Sequence, residues 1–333
     1  MIYIKSAKQI SVQQPLSESW IKEPQMAAGE YRRSQDPTFR QWLNPLESRR
    51  LGRLLKRAIV TATEALAEAR IEQPEAIVTG TGLGCIENTE LLLNQMCREG
   101  DEALRPTNFM QSTHNTISSL IAINSQCHGY NSTYSHKAVS FDCALLDAFL
   151  QMRLGDISNA LVMGNDEMTP SYFTILKRAG YVGQEGQVPA TEASVAMMLT
   201  TEADGAYCQL QDVQLAYADG AYPPSCNCTP ADRQIDAILI GSNGNAANDQ
   251  VYTHLLRQLP NAPLLHYKHI FGEGYCASAL GLYAATHIID RGEAPASMRC
   301  DRIGKPLNVR RLLMVNHSDA RCFSFITLAQ ANS

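Results

Sequence analysis

Hydrophobic and polar positions along this chain repeat a cycle of short apolar runs and longer amphipathic stretches. Ile2 and Ile4, then Ile10 and Val12, predict two short extended pieces. Residues 13–44 are polar, with Pro15, Pro24 and Pro37, and read as an irregular excursion. From Pro45 to Ala69 the spacing of Leu46, Leu51, Leu54, Leu55, Ile59, Ala62, Ala65 and Leu66 is helical, and Asn44 followed by Pro45 marks the start of that helix. Ala76–Gly80 is a buried strand running into Gly80-Thr81-Gly82-Leu83-Gly84, and a helix follows over Asn88–Arg98.

The stretch from Pro106 to Glu167 carries the densest pattern. A helix with small residues spans His114–Ile123 and a strand Ser132–Ser135. A tight turn at His136–Ser140 then leads into a buried helix, Asp142–Leu154, and a further strand, Ala160–Met163. Strand, helix and strand with short loops predict a parallel sheet covered by helices. Residues 171–191 read as a surface segment, Ser194–Leu199 as an apolar strand and Thr201–Ala206 as a boundary. A second cycle places strands at Cys208–Leu215, Ile235–Ile240, Leu264–His266, Leu312–Val315 and Phe323–Leu328, with helices at Asn248–Leu259 and Tyr275–Arg291. The two halves, residues 1–203 and 204–333, share a layout without a strong repeat of sequence.

Composition narrows the function classes. A chain of 333 residues, 45% hydrophobic and 18% charged, can bury a large core. A net charge of -5 leaves no basic footprint for nucleic acid. No apolar run reaches the roughly 20 residues that span a membrane, and the start, MIYIKSAKQISV, lacks a secretory pattern, so a cytoplasmic protein is expected. Ten scattered cysteines fit neither a disulfide framework nor a zinc ribbon; Cys226 and Cys228 are two ligands without a second pair. No metal and no cofactor is expected. Gly80–Gly84 only loosely resembles a dinucleotide fingerprint, because the third glycine is missing. Arg49, Arg50, Arg53, Lys56 and Arg57 read as a solvated helix face, or as a docking patch for an acidic carrier protein.

Four segments resemble the β-ketoacyl synthases of the thiolase-like superfamily. Gly129-Tyr130-Asn131 through Gly155-Asp156 is similar to the segment around that family's nucleophile turn, and Gly164-Asn165-Asp166-Glu167 to its Gly-Gly-x-Glu turn. Gly241 to Asp249 is similar to a His-Gly-Thr-x-Thr-x-x-Asn-Asp loop, and Lys268 to Glu273 to a Lys-x-x-x-Gly-His motif. The resemblance implies a duplicated α/β fold in five layers, α-β-α-β-α, dimeric through the strand and helix around the nucleophile. It places Ala138 at the catalytic cysteine position, Gly241 and Glu273 at the two histidines, and keeps Lys268. The family's Gly-Phe-Gly-Gly gate falls on Asn316-His317-Ser318-Asp319-Ala320-Arg321, which has no glycine, and the loop between Tyr217 and Gln234 is shorter than the family's excursion.

A ketosynthase needs a thiolate at a helix N-terminus to hold the acyl chain and two imidazoles to steady the enolate oxygen. With all three positions altered, the resemblance implies a chain-length-factor-like homologue of the aryl polyene, flexirubin and dialkylresorcinol type. Such a protein would pair with an active ketosynthase in fatty-acid- or polyketide-type biosynthesis and could meet an acyl carrier protein. Phe109, Met110, His114 and Phe141 are candidates for the tunnel or interface. Two alternatives stand beside it: a stand-alone acyl-carrier decarboxylase or acyltransferase using Glu273 or a cysteine such as Cys143 or Cys276, and a non-catalytic homodimer that binds an acyl chain. Ser135 and His136 are strand neighbours pointing to opposite faces, so they are not expected to pair.

Overall fold

A computed structural model describes residues 1–100, 104–218, 234–300 and 307–331. Ten strands form its main sheet: β1 (Ile2–Ile10), β2 (Ala76–Gly80), β3 (Tyr130–Tyr134), β4 (Asn159–Asp166), β5 (Ala193–Thr200), β6 (Cys208–Tyr217), β7 (Ala237–Ile240), β8 (Leu264–His266), β9 (Arg311–Ser318) and β10 (Cys322–Ala329). The helices are α1 (Pro45–Ser48), α2 (Arg53–Ala69), α3 (Ile86–Glu99), α4 (Pro106–Ser112), α5 (Thr116–Asn124), α6 (Ser140–Leu154), α7 (Pro170–Arg178), α8 (Ala246–Leu256), α9 (Lys268–Phe271) and α10 (Ala277–Arg291).

The strands are hydrogen-bonded in the order β8-β7-β9-β10-β6-β1-β5-β4-β2-β3. From either edge inwards, the third, second, fourth, fifth and first strands of a half succeed one another. In both halves the first three are mutually parallel and the last two antiparallel. The halves meet where β1 pairs with β6, over Ile2–Leu210, Tyr3–Gln209 and Ile4–Cys208.

Side-chain alternation along the strands builds the layers. On β4, Leu161 and Met163 join the cluster under α2 and α5, whereas Ala160 and Val162 face the central cluster with α6 and α10. On β9, Leu312 and Met314 face that same centre, and Leu313 and Val315 pack under α8. The result is the expected α-β-α-β-α arrangement. Close approach at the centre depends on Gly164, where a Cβ would lie 2.6 Å from that of Ala279 on α10 and 3.1 Å from the Phe141 ring on α6.

Two expectations need correction. The helix predicted over Pro45–Ala69 is broken between α1 and α2. Gly52 there packs on α3 so closely that a Cβ would fall 2.6 Å from Asn88 Oδ1, and its amide donates to Gln111 Oε1 at 3.1 Å. Tertiary contact overrides a continuous helical pattern. Ile2–Ile10 is one strand rather than two pieces, because its inward polar groups find partners: Ser6 Oγ donates to Ala65 O and Gln9 Nε2 to Gln14 O. The shortened loop expected between Tyr217 and Gln234, with Cys226 and Cys228, falls on 219–233, outside the described residues.

Candidate functional site

The turn before α6 is closed by one hydroxyl. Ser140 Oγ accepts the His136 N–H at 2.8 Å and donates to Lys137 O at 2.6 Å, with Lys137 held at φ 49°. This geometry delivers Ala138 to the positive end of a 15-residue helix, a place suited to a nucleophile. Only a methyl group is delivered.

Opposite lies the end of β7. A Cβ on Gly241 would fall 2.3 Å from Asn316 Oδ1, 2.8 Å from the Tyr252 hydroxyl and 3.0 Å from that of Tyr267. Both hydroxyls donate to Asn316 Oδ1, at 3.2 and 3.5 Å. The space a side chain would need is therefore filled by a buried polar cluster. Burial pushes both phenols well above their ordinary range, so they stay protonated donors. Beyond Gly241 the loop is pinned by Asp249, whose carboxylate accepts the amides of Asn243 and Gly244, while Asn245 caps α8.

Next to this cluster, β9 brings His317. Burial, reinforced by Lys268, pushes the His317 imidazole down to about 4, and its bonds fit a neutral ring: Nε2 donates to Asn248 O at 3.1 Å and Nδ1 accepts from Ala320 N at 3.4 Å. An imidazole is thus present beside the site, but both of its nitrogens are engaged with backbone.

The third piece is the short helix α9 and the residues after it. Lys268 Nζ, nearly buried, donates to Glu273 Oε2 at 2.8 Å. The same oxygen accepts from Asn243 Nδ2 at 2.7 Å, and Oε1 accepts the Gly274 amide at 3.0 Å. Asn243 therefore ties the loop after β7 to the carboxylate.

Ala138, Gly241, Lys268 and Glu273 line one cavity of about 270 Å³, together with Asn243, His317 and the apolar side chains of Met168, Leu176 and Val182. No thiol lines it among the described residues. The structure does not bring Phe109, Met110, His114 or Phe141 to this cavity. Phe109 and Met110 are exposed on α4 and His114 in the following loop. Phe141 is fully buried in the core under Gly80 and Gly164 and reaches no surface of the single chain.

Other candidates resolve into structure. Cys276 is buried and donates to Ala193 O, and burial raises its thiol well above the usual range. Cys143, inside α6, is pushed up to about 11. His136 does not meet Ser135; its Nε2 faces Cys322. Arg57 leaves the solvated basic face entirely and sits buried between Asp36 and Glu192. Glu192 accepts the Ser34 and Met168 amides, and Glu167 the Glu87 amide, so both brace turns. The Gly80–Gly84 turn wraps the Asp166 carboxylate, which takes the Gly82 and Leu83 amides and the Thr81 hydroxyl. Amides already given to an internal carboxyl group do not serve a phosphate. Among the described residues no cluster of three or more His, Cys, Asp and Glu could hold a metal ion, and no helix is long and apolar enough to cross a membrane.

The sequence located the four cavity positions but not Tyr252 and Tyr267, and it singled out Asn316 only within the gate segment, not as the side chain that fills the space beside Gly241. The signal for that filling was a glycine where the resembled motif has a larger residue.

A family model described as the beta-ketoacyl synthase N-terminal domain matches residues 18–247. No curated protein matches the chain. Among solved structures it is similar to the ishigamide ketosynthase/chain length factor, at 18% identity and a TM-score of 0.79 over 99% of both chains. It is also similar to a beta-ketoacyl synthase from Burkholderia phymatum, at 13% identity and 0.78 over 99% of both. A third is a ketosynthase in complex with its chain length factor from Xenorhabdus doucetiae, at 14% and 0.75 over 99% of this chain and 98% of that one. At these identities the likeness is one of fold.

Proposed function

This chain belongs to the β-ketoacyl synthase family, and from that premise we propose that it is a non-condensing, chain-length-factor-like member that works as the partner of an active ketosynthase. The observation that carries the reading is the cavity itself: Ala138, Gly241 and Glu273 line it where the resemblance puts a cysteine and two histidines, beside a retained Lys268. Without a thiol no acyl-enzyme forms there, and loss of one member of a catalytic set costs several powers of ten in rate. Asn316 occupies the room a first histidine would need.

The surface supports a partner. Strand β3 is an open edge of the ten-stranded sheet. Tyr130 on that strand is exposed, as are Ile123, at 74%, on the neighbouring α5 and Leu150 and Leu154, the latter at 77%, on the neighbouring α6; Phe109 and Met110 are exposed on α4, which packs on α5. An unpaired strand edge flanked by apolar side chains suits burial against a second chain. A ketosynthase with an intact Cys-His-His set is the proposed occupant, with an acyl-carrier thioester as the pair's substrate. Co-expression with such a ketosynthase should give a complex that co-elutes and makes a product of defined chain length. Separate elution, with product length unchanged when this chain is omitted, sinks the reading.

Stand-alone decarboxylation by Glu273 is a weaker reading, because its carboxylate is already engaged by Lys268, Asn243 and Gly274.

A further inference from the structure

A thiol lies just outside the cavity, on the other side of the Lys137 turn. Cys322 opens β10, paired with Ser318 across the hairpin and with Tyr217 on β6. Its Sγ lies 3.5 Å from Nε2 of His136, the residue that begins the turn before α6. The pair borders a groove of about 920 Å³ that also touches Gly82, Tyr217 and Arg321. Lys137, Tyr181, Asn248, Ser318 and Asp319 line both this groove and the inner cavity. Between them the Lys137 ammonium and the Asp319 carboxylate meet at 3.1 Å, so an exposed ion pair forms part of the partition.

We propose that Cys322 and His136 form a nucleophile–base dyad that accepts an acyl group from a thioester delivered through this groove. A nucleophile and base within hydrogen-bond reach are the minimum for covalent acyl transfer. With the Nδ1–H tautomer, His136 Nε2 is free to take the thiol proton. As it does so, Sγ bonds to the carbonyl carbon of the thioester and the bond to the donor sulfur breaks. The imidazolium gives its proton to the departing thiolate. The products are an acyl-Cys322 thioester and a free donor thiol, with no change of oxidation state. Burial and the neighbouring Asp319 push the Cys322 thiol upward, so the base is needed within the step rather than to hold a preformed thiolate. The groove itself, at about 920 Å³, offers room for an acyl chain.

The choice of a thioester rests on the partner reading above, whereas the dyad does not. Full-length protein incubated with octanoyl-N-acetylcysteamine should gain one octanoyl group on the peptide containing Cys322. The adduct should be absent in Cys322→Ser and form roughly tenfold or more slowly in His136→Ala. No adduct, an adduct on another residue, or an unchanged rate in His136→Ala overturns the proposal. Iodoacetamide provides a readout free of substrate assumptions: with the exposed Cys97 as internal reference, alkylation of Cys322 should slow in His136→Ala. An unchanged ratio of the two rates overturns the dyad, and a His136-dependent ratio without acylation overturns the thioester. Co-elution of Cys322→Ser with a ketosynthase reports on the partner reading independently, and circular dichroism of each variant guards against misfolding.

Discussion

The loops that leave β2 and β7 hold corresponding places in the two halves, and they are closed in opposite ways. After β2, the loop amides converge on Asp166, a carboxylate from the end of β4 more than 80 residues away. After β7, they converge on Asp249, on the helix that the loop itself opens. Gly80 lies beside Gly164 in the ladder, with Phe141 from α6 filling the space behind them. Gly241 lies one step beyond the Ile240–Val315 pair, beside Asn316, whose side chain fills the equivalent room. The half closed by a distant carboxylate uses its polar groups up. The half closed locally leaves Asn243 free to reach Glu273, and the polar part of the cavity forms there.

Removing each anchor should expose the contrast most strongly. Asp166→Ala strands two backbone amides and the Thr81 hydroxyl in a buried setting, at an expected cost of about 3–4 kcal/mol, whereas Asp249→Ala should cost about 1 kcal/mol because its loop is more exposed. Equal shifts in urea unfolding would break the comparison.

Titration separates the halves next, with opposite signs. Burial pushes Asp166 up to about 7 despite the amides that pull it down. The folded form then keeps a proton that the unfolded chain has lost, so this group's contribution to stability declines as pH rises from about 4 to about 7. His317 is held down at about 4 against an ordinary 6.5. The unfolded chain gains a proton the buried ring refuses, so stability declines as pH falls from about 6.5 to about 4, by about 3 kcal/mol in all. His317→Gln should remove the acid-side decline and Asp166→Asn the opposing one, read as unfolding midpoints across that range. A wild-type pH profile unchanged by either substitution would refute the assignment.

Restoring side chains at the site gives the smallest effect and the sharpest test. Gly241→His must displace Asn316 and should destabilise by about 2 kcal/mol, while Ala138→Cys, on a half-exposed turn, should change stability by under about 0.5 kcal/mol. If both are tolerated alike in thermal melts, Asn316 does not hold that space firmly.

How much of this the sequence revealed follows from the range of the interactions. Ala76–Gly80 and Leu264–His266 match the predicted strands because each is led by consecutive apolar residues, Ala76-Ile77-Val78 and Leu264-Leu265, and bounded by turn residues. The break at Gly52 was hidden because Asn88 and Gln111, its causes, are remote in sequence. The four-residue helix at Lys268–Phe271 is too short for a periodic signal. At the site, motif order located Ala138, Gly241, Lys268 and Glu273. Cys322 and His136 lie 186 residues apart and share no motif, so only folding brings them together.

The seam between the half-sheets bears on how the chain comes off the ribosome. β1 is made first, yet it pairs with β5 on one side, Ile10 opposite Ser194, and with β6 on the other, Ile2 opposite Leu210. Until roughly 190 further residues have emerged, the nascent chain carries a strand with both edges open. Such long-range pairing slows folding and exposes a segment that chaperones can bind. When β5 and β6 arrive in succession, one strand is captured from both sides. The N-terminal half therefore finishes its sheet almost as the C-terminal half begins its own.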